Sequence, residues 1–594
     1  MRVRLTIAGS SPLRLLAGLG VPAAALLGLA FSFPSAAEIP APAPIVFTQV
    51  DLIQTLAADS VPRSRIVRLD PGGKPRALAT ELYASSDPEI SFDGKHILFA
   101  GRTGPRERWQ IYEMNADGSG VRRITNEPMD CRSPIYQSYF YVITSDVPWH
   151  QIAFTGSADG LPPSLYSTKL DGSGLRRLTF NPYGDRDPFL MPDGRIVFSS
   201  SQRNRLERGP KNRDALFGVN LDGTDYAVFS AGEGAPWKRM PTVTTDREVI
   251  FVENEQPAAD GSGWLASVTM RRNLHSYRRL TQPDEGLFLS PSPLHNGEVL
   301  VARRPADGSG TYALVRYNPA TGALSEVFDD PGYQDIEPRE LAPRPEPDGR
   351  SSVVNEQDPT GLLYCLNVFE TDVASARWGR PGVRRRLRVV EGLPRVKAEA
   401  STAPPPARRI LGEIAVEPDG SFNVRVPANI PIQLQLLDEH GLAMRTCSWI
   451  WVKNREPRGC IGCHEDGELT PTNRMVDAVR KPSIALTLPP ERRRRVTFER
   501  NILPIITAKC ATPACHGGTL PQRLRDHAQL RRYVAGTART SPLVWHLTGR
   551  MTAQPWDDLT AAAVMREKMP PAGMTPLTDD ELRTIFEWID MGAE

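Results

Sequence analysis

The sequence carries almost no excess charge of either sign. Its 594 residues hold 71 Lys and Arg against 69 Asp and Glu, a net charge of +2. No overall field therefore argues for nucleic acid or for an acidic partner. Long apolar runs are missing as well. Beyond the N-terminus no segment approaches about 18 continuous apolar residues, so no transmembrane segment is expected in the mature chain. Cysteine is scarce: Cys131, Cys365, Cys447, Cys460, Cys463, Cys510 and Cys515 are all there are. The length exceeds what one core can fill, so three or more domains are expected.

The one strongly apolar stretch lies at the start. Arg2, Arg4 and Arg14 precede a Leu- and Ala-rich run over 15–31, and Ser35, Ala36 and Ala37 follow as a cleavage site. Residues 1–37 thus read as a Sec-type signal peptide, which predicts a periplasmic or otherwise exported protein. The alternative is an uncleaved membrane anchor.

The chemistry is concentrated in two motifs. Cys460, Cys463 and His464 form C-x-x-C-H, the attachment pattern of a c-type haem. Two thiols at that spacing can add to the two vinyl groups of one porphyrin, and the histidine then lies under the iron. The competing reading is half of a zinc site, which would need a second Cys/His pair from Cys447 or Cys510. Cys510, Cys515 and His516 form a C-x4-C-H variant, with Pro513 in the wider loop. Two covalently bound haem c groups are therefore expected. Cys365 and Cys447 remain in one region and could pair in an oxidising compartment, and Cys131 is left over.

The region 45–350 repeats. A hairpin of the form D-G-x-x-I-x-F begins at Asp93, with decayed copies at Pro148 and Asp193 and weaker ones at Asp246, Asn296 and Asp348. A second unit, strand, D-G turn and strand ending R-R-L-T, spans 111–125 and 165–179, with further copies at 65–79, 216–230, 265–281 and 312–328. The period is about 50 residues with four short strands, which suits a propeller blade. Six copies imply a six-bladed β-propeller, and the pattern resembles TolB-like repeats. That fold alone says little about function. The Arg-Arg pairs read as solvated strand faces.

Residues 351–490 read as a small antiparallel β-sandwich. Phe422, Val424 and Val426 alternate in one strand, Ile432, Leu434 and Leu436 in the next, and Leu442 and Met444 in a third. Trp449 and Trp451 precede the haem motif and belong either to the pocket wall or to the sandwich core. The stretches 426–441 and 455–465 resemble the middle domain of the hydrazine synthase alpha subunit family. That family joins a propeller, a haem-bearing middle domain and a C-terminal cytochrome c domain, an order similar to this chain's over nearly its whole mature length. The resemblance implies that the middle haem is catalytic toward a small nitrogen compound, and that the terminal haem passes electrons. It also implies a propeller cysteine near a metal at the haem, for which Cys131 is the candidate; otherwise Cys131 is a simple buried thiol. An additional zinc or calcium ion stays open. There is one departure. The family's iron-binding tyrosine, four residues past the motif histidine, is Glu468 here, and no tyrosine occurs between Tyr364 and Tyr533. His464 then reads as an ordinary proximal ligand.

Residues 491–594 read as an α-helical cytochrome c-like domain. Phe498, Ile502, Leu503 and Ile506 recur at helical spacing and deliver Cys510. Thr578 and Glu581 make a capping box before an apolar face of Leu582, Ile585, Phe586 and Ile589. His546 is the first candidate for the sixth iron ligand, Met569 the alternative and His527 a weaker third. Arg492 to Arg495 read as a solvated linker, or as partners of haem propionates or of an acidic redox protein. The whole is a multidomain, mainly β chain. It fits a two-haem oxidoreductase with a small-molecule substrate and a redox partner protein. The alternatives are a pure electron carrier and a propeller-based binding scaffold with accessory haems.

Overall fold

The computed structural model describes residues 42–52, 63–142, 147–203, 212–230, 232–371, 382–393, 406–463, 475–534, 537–554, 557 and 568–594. The expected signal peptide, His464 and Glu468 lie outside the described residues. The first region is a series of antiparallel four-stranded meanders. Strands Ala84–Ile90, His96–Arg102, Gln110–Asn115 and Arg122–Arg123 form one such sheet. A later sheet of eight strands consists of two such meanders, joined by a parallel pairing of Asp214 with Trp237. The return strand Tyr333–Glu340 pairs with the first strand, Ile45–Asp51, and also contacts Ala84–Ile90. The chain thereby closes the series on itself.

Prolines set the inner ends of these sheets. Asp87, Ser133, Asp187, Met240, Ser290 and Glu337 each precede a proline, and each has a positive φ between 49° and 56°. Every one sits at a break in strand register, for example between Ser86 and Glu89 or between Arg239 and Thr242. A bulge is where a strand tolerates a residue with no N–H to donate. The bulges also bond to one another in sequence. The Asp87 amide donates to Glu337 at 2.8 Å, the Ser133 amide to Asp87 at 2.9 Å, and the Met240 amide to Asp187 at 3.3 Å. The Ser290 amide points at the Met240 sulfur, 3.4 Å away. Arg132 and Arg239 hold Asp87 and Asp187 at 2.5 and 2.7 Å. Burial alone would raise the Asp87 carboxyl, but Arg132 outweighs it and the net shift is downward; burial, then the charge of Asp87, pushes Glu337 up.

The middle region is a sandwich of two four-stranded sheets. One runs in the order Pro457–Cys460, Thr360–Cys365, Phe422–Pro427, Ile484–Ala485; the other runs Arg408–Ala415, Arg386–Gly392, Ile432–Leu437, Ala443–Thr446. Leu363, Val389, Leu411, Val424, Val426 and Leu436 fill the space between them. The first sheet is mixed rather than antiparallel, because both of its edge strands run parallel to their neighbours.

In the C-terminal region Phe498, Ile502 and Ile506 are buried as their spacing predicts. They lie on one wider helical turn, Phe498–Ile502, followed by the α-helix Leu503–Cys510. The terminal helix Asp579–Asp590 begins with the expected capping box: the Glu581 amide donates to Thr578 at 3.2 Å, and the Thr578 amide to Glu581 at 2.7 Å. This helix docks on the second sheet of the sandwich through buried polar groups. Arg388 is fully buried and donates to Glu413 at 2.8 Å and Gln435 at 3.1 Å, with the Asp590 carboxylate 3.8 Å away. Asp590 also accepts from the amides of Ala538 and Ala443 at 2.8 and 3.0 Å. Arg408 bridges Gln433 and the carbonyl of Met591. The arginine run is part of the same seam: Arg493 meets Glu391 at 2.8 Å and Arg494 meets Glu587 at 2.8 Å. A solvated linker is thus the wrong reading of Arg493, whose side chain is buried, whereas Arg494 stays half-exposed while making its ion pair. Among the described residues no helix is long and apolar enough to cross a membrane.

Candidate functional site

The short strand Pro457–Cys460 leads into the first haem motif and lies parallel to Thr360–Cys365, with Gly459 opposite Tyr364 and Cys460 opposite Cys365. Successive residues of a strand point to opposite faces. Gly459 faces Tyr364, where a Cβ would come within 2.6 Å of the phenol and displace it. Arg458 and Cys460 face the other way, into a cavity of about 640 Å³, a size typical of cofactor pockets.

The cavity has two unlike walls. Cys460 and Cys463 lie on the sandwich side with Cys365, Cys447, Val368, Leu387, Phe422 and Leu434. Across from them the propeller contributes Phe217, Tyr226, Val228, Phe229, Arg195 and Arg213. Arg445 and Arg458 complete a basic set in which Asp225 is the one acidic lining residue among the described residues. Among the described residues, two buried polar atoms of Arg458, Nε and Nη1, have no hydrogen-bond partner, nor has Nε1 of Trp449. An apolar wall bearing two thiols at haem spacing, opposite a basic pole with unspent donors, matches a haem with its apolar ring and its two carboxylates. The residues present fit that group.

Of the two roles left open by the sequence, Trp449 takes the pocket wall, while Trp451 belongs to neither wall nor sandwich core and packs into the propeller. Trp449 is 2% exposed and lines the cavity. Trp451 is fully buried against the propeller, its ring 3.9 Å from that of Tyr226 and its Nε1 donating to the carbonyl of Gly223 at 3.2 Å. Lys453 continues this seam by donating to the carbonyl of Arg177 at 2.8 Å, and burial lowers its pKa to about 8. Tyr226 was hidden from any reading of the sequence near the motif. It brings a tyrosine to the cavity from more than 200 positions away and stacks on Phe217 with ring centres 4.6 Å apart. Its hydroxyl is directed elsewhere, to Ser200 and Gln202 at 3.5 and 3.3 Å, and burial pushes its pKa well up.

Cys131 lies apart from this cavity. It is fully buried among Ile111, Met129, Ile152 and Phe154, and burial raises its thiol to about 12. Among the described residues no group of three or more His, Cys, Asp or Glu is arranged to hold a metal ion.

The second motif is built on helix ends. Cys510 closes the helix Leu503–Cys510, and the single turn Pro513–His516 carries Cys515 and His516, all three half-buried. Burial, then the nearby Cys515, raises the Cys510 thiol. His546 is half-buried on the helix Pro542–Thr548, while Met569 is 40% exposed. The two meet through the backbone, where the Met569 amide donates to the His546 carbonyl at 2.7 Å. His527 is occupied as packing: its ring stacks on Phe498, and Nε2 lies 2.8 Å from the carbonyl of Ala593.

Comparison with known proteins places this architecture. A family model described as the hydrazine synthase alpha subunit middle domain matches residues 379–465. The chain is 25% identical to hydrazine synthase subunit alpha of Kuenenia stuttgartiensis, over 89% of this chain and 88% of that protein. The solved structure of Kuenenia stuttgartiensis hydrazine synthase superposes with a TM-score of 0.76 at 23% identity, covering 93% of this chain and 94% of that one. TolB from Acinetobacter baumannii gives a TM-score of 0.37 at 16% identity, over 50% of this chain and 67% of TolB. By sequence over most of its length, and by fold, the chain is a homologue of the hydrazine synthase alpha subunit.

Proposed function

We propose that this is an exported redox protein with two covalent haems, in which the middle haem acts on a small molecule and the terminal haem transfers electrons. The observation that carries the reading is the cavity. Both thiols of the C-x-x-C-H motif line it, its opposite wall is basic, and it is large enough for a porphyrin. Bound there, the haem supplies an iron that changes redox state and binds a small ligand. The chain's own residues do the rest. Cys460 and Cys463 would hold the ring, His464 would bind its iron, and Trp449 and the apolar wall would keep water out. The relative's name suggests a small nitrogen compound as substrate and a multi-subunit setting with a partner protein.

The first region reads as a six-bladed propeller, one blade for each X-Pro bulge, on which the sandwich sits. The C-terminal region reads as a cytochrome c-like domain held by Cys510, Cys515 and His516. His546 is its sixth ligand in this reading, with Met569 as packing. His546→Ala is expected to turn the ferric spectrum of that haem from low-spin to high-spin, while Met569→Ala leaves it low-spin. The reverse outcome reassigns the ligand to Met569.

A second reading rests on Glu468, which stands where the family has its iron-binding tyrosine. It makes the protein a pure electron carrier with both irons six-coordinate. Carbon monoxide separates the two. An open middle haem takes it up on reduction, with a shift of the Soret band for one of two haems. No uptake at either haem removes the catalytic reading.

A further inference from the structure

We propose that Arg458 anchors a propionate of the middle haem at the propeller wall and raises the reduction potential of that haem. The inference rests on the haem reading above and deepens it. Arg458 and Cys460 are two residues apart on one strand and line the same cavity. The Arg458 side chain crosses from the sandwich to the propeller, where Nη2 donates to the carbonyl of Tyr226 and the guanidinium lies 5.7 Å from the Tyr226 ring. That contact fixes its direction and leaves Nε and Nη1 buried without a hydrogen-bond partner among the described residues. Buried guanidinium donors left unspent are costly, and a carboxylate is their natural acceptor. Arg195 differs in this respect, since Asp193 already takes its Nε and one Nη at 2.9 and 2.7 Å. A cation fixed in a cavity of low polarity disfavours the ferric form, which carries one more positive charge than the ferrous form, so its presence raises the potential.

The test uses the full chain matured with haem, comparing wild type with Arg458→Gln, Arg458→Lys and the exposed control Arg492→Gln. Haem content is read from intact mass and the haem-to-protein ratio, and both midpoint potentials from a redox titration. The expected result is two haems in every variant. One midpoint is lowered in Arg458→Gln and lowered less in Arg458→Lys, and neither moves in Arg492→Gln. Two haems with both potentials unchanged in Arg458→Gln overturn the proposal. Should Arg458→Gln lose the middle haem altogether, Arg458→Lys decides: a retained haem of lowered potential supports the anchor, and one of wild-type potential overturns it. A wild-type chain with no adduct on Cys460 and Cys463 overturns the haem reading itself, a result separate from all of these.

Discussion

Arg388→Ala is expected to cost about 3–5 kcal/mol at pH 8, because it removes a fully buried cation and leaves the buried Asp590 carboxylate without its arginine. Glu413, Gln435 and Asp590 all face this guanidinium; Gln435 and Asp590 are buried beneath the terminal helix, whereas Glu413 keeps Arg386 and Arg583 as further partners at 2.9 and 3.0 Å. The loss should depend on pH, with a sign set by Asp590. Burial raises its carboxyl from 3.8 to about 6, against the opposing pull of Arg388. A raised folded pKa means that the native state holds the proton more tightly than the unfolded chain does. The stability from that proton is complete below about pH 4 and is lost as pH rises through about 6. Without Arg388 the ionised form of Asp590 is costlier still, so the deficit of the variant should be larger at pH 8 than at pH 5. Denaturant midpoints of both proteins at the two pH values check this. Equal midpoints at pH 8 would contradict the cluster's role in docking the terminal helix.

The second large effect is all-or-none. Cys460→Ala combined with Cys463→Ala is expected to abolish one covalent haem, and Cys510→Ala combined with Cys515→Ala the other, each without touching its counterpart. The cysteine pairs belong to separate parts of the chain, one lining the cavity between sandwich and propeller and one ending the helix Leu503–Cys510. Intact mass of each variant reads the loss directly. A middle-pair variant that keeps both haem adducts would show that another residue, such as Cys365 or Cys447 in the same cavity, forms the attachment.

Local patterns carried much of the fold in the sequence. The capping box at Thr578 and the buried face of Phe498, Ile502 and Ile506 were legible because helix spacing and cap chemistry are both short-range. What escaped is what depends on distant partners. Gln433 and Gln435 alternate with Ile432, Leu434 and Leu436, so the pattern assigns them to solvent. Both are fully buried, because the terminal helix covers that face and Arg388 and Arg408 bond to them. Arg493 looked solvated for the same reason, since its acid, Glu391, lies about 100 residues away. The site was half legible. Cys460 and Cys463 announce themselves, but Tyr226 and Arg213 come from the propeller through the fold alone. One signal was available and unused: the X-Pro dipeptides recur about every 50 residues, and a proline repeated inside strand-like segments marks a bulge.

The central claim is that this chain attaches two haems, one of them in the cavity between the sandwich and the propeller. The most direct measurement is the intact mass and haem-to-protein ratio of the full chain produced with a cytochrome c maturation system. The account predicts two covalent haems per chain, with one peptide adduct spanning Cys460 and Cys463 and the other spanning Cys510 and Cys515. A chain with no haem adduct but with bound zinc would contradict it.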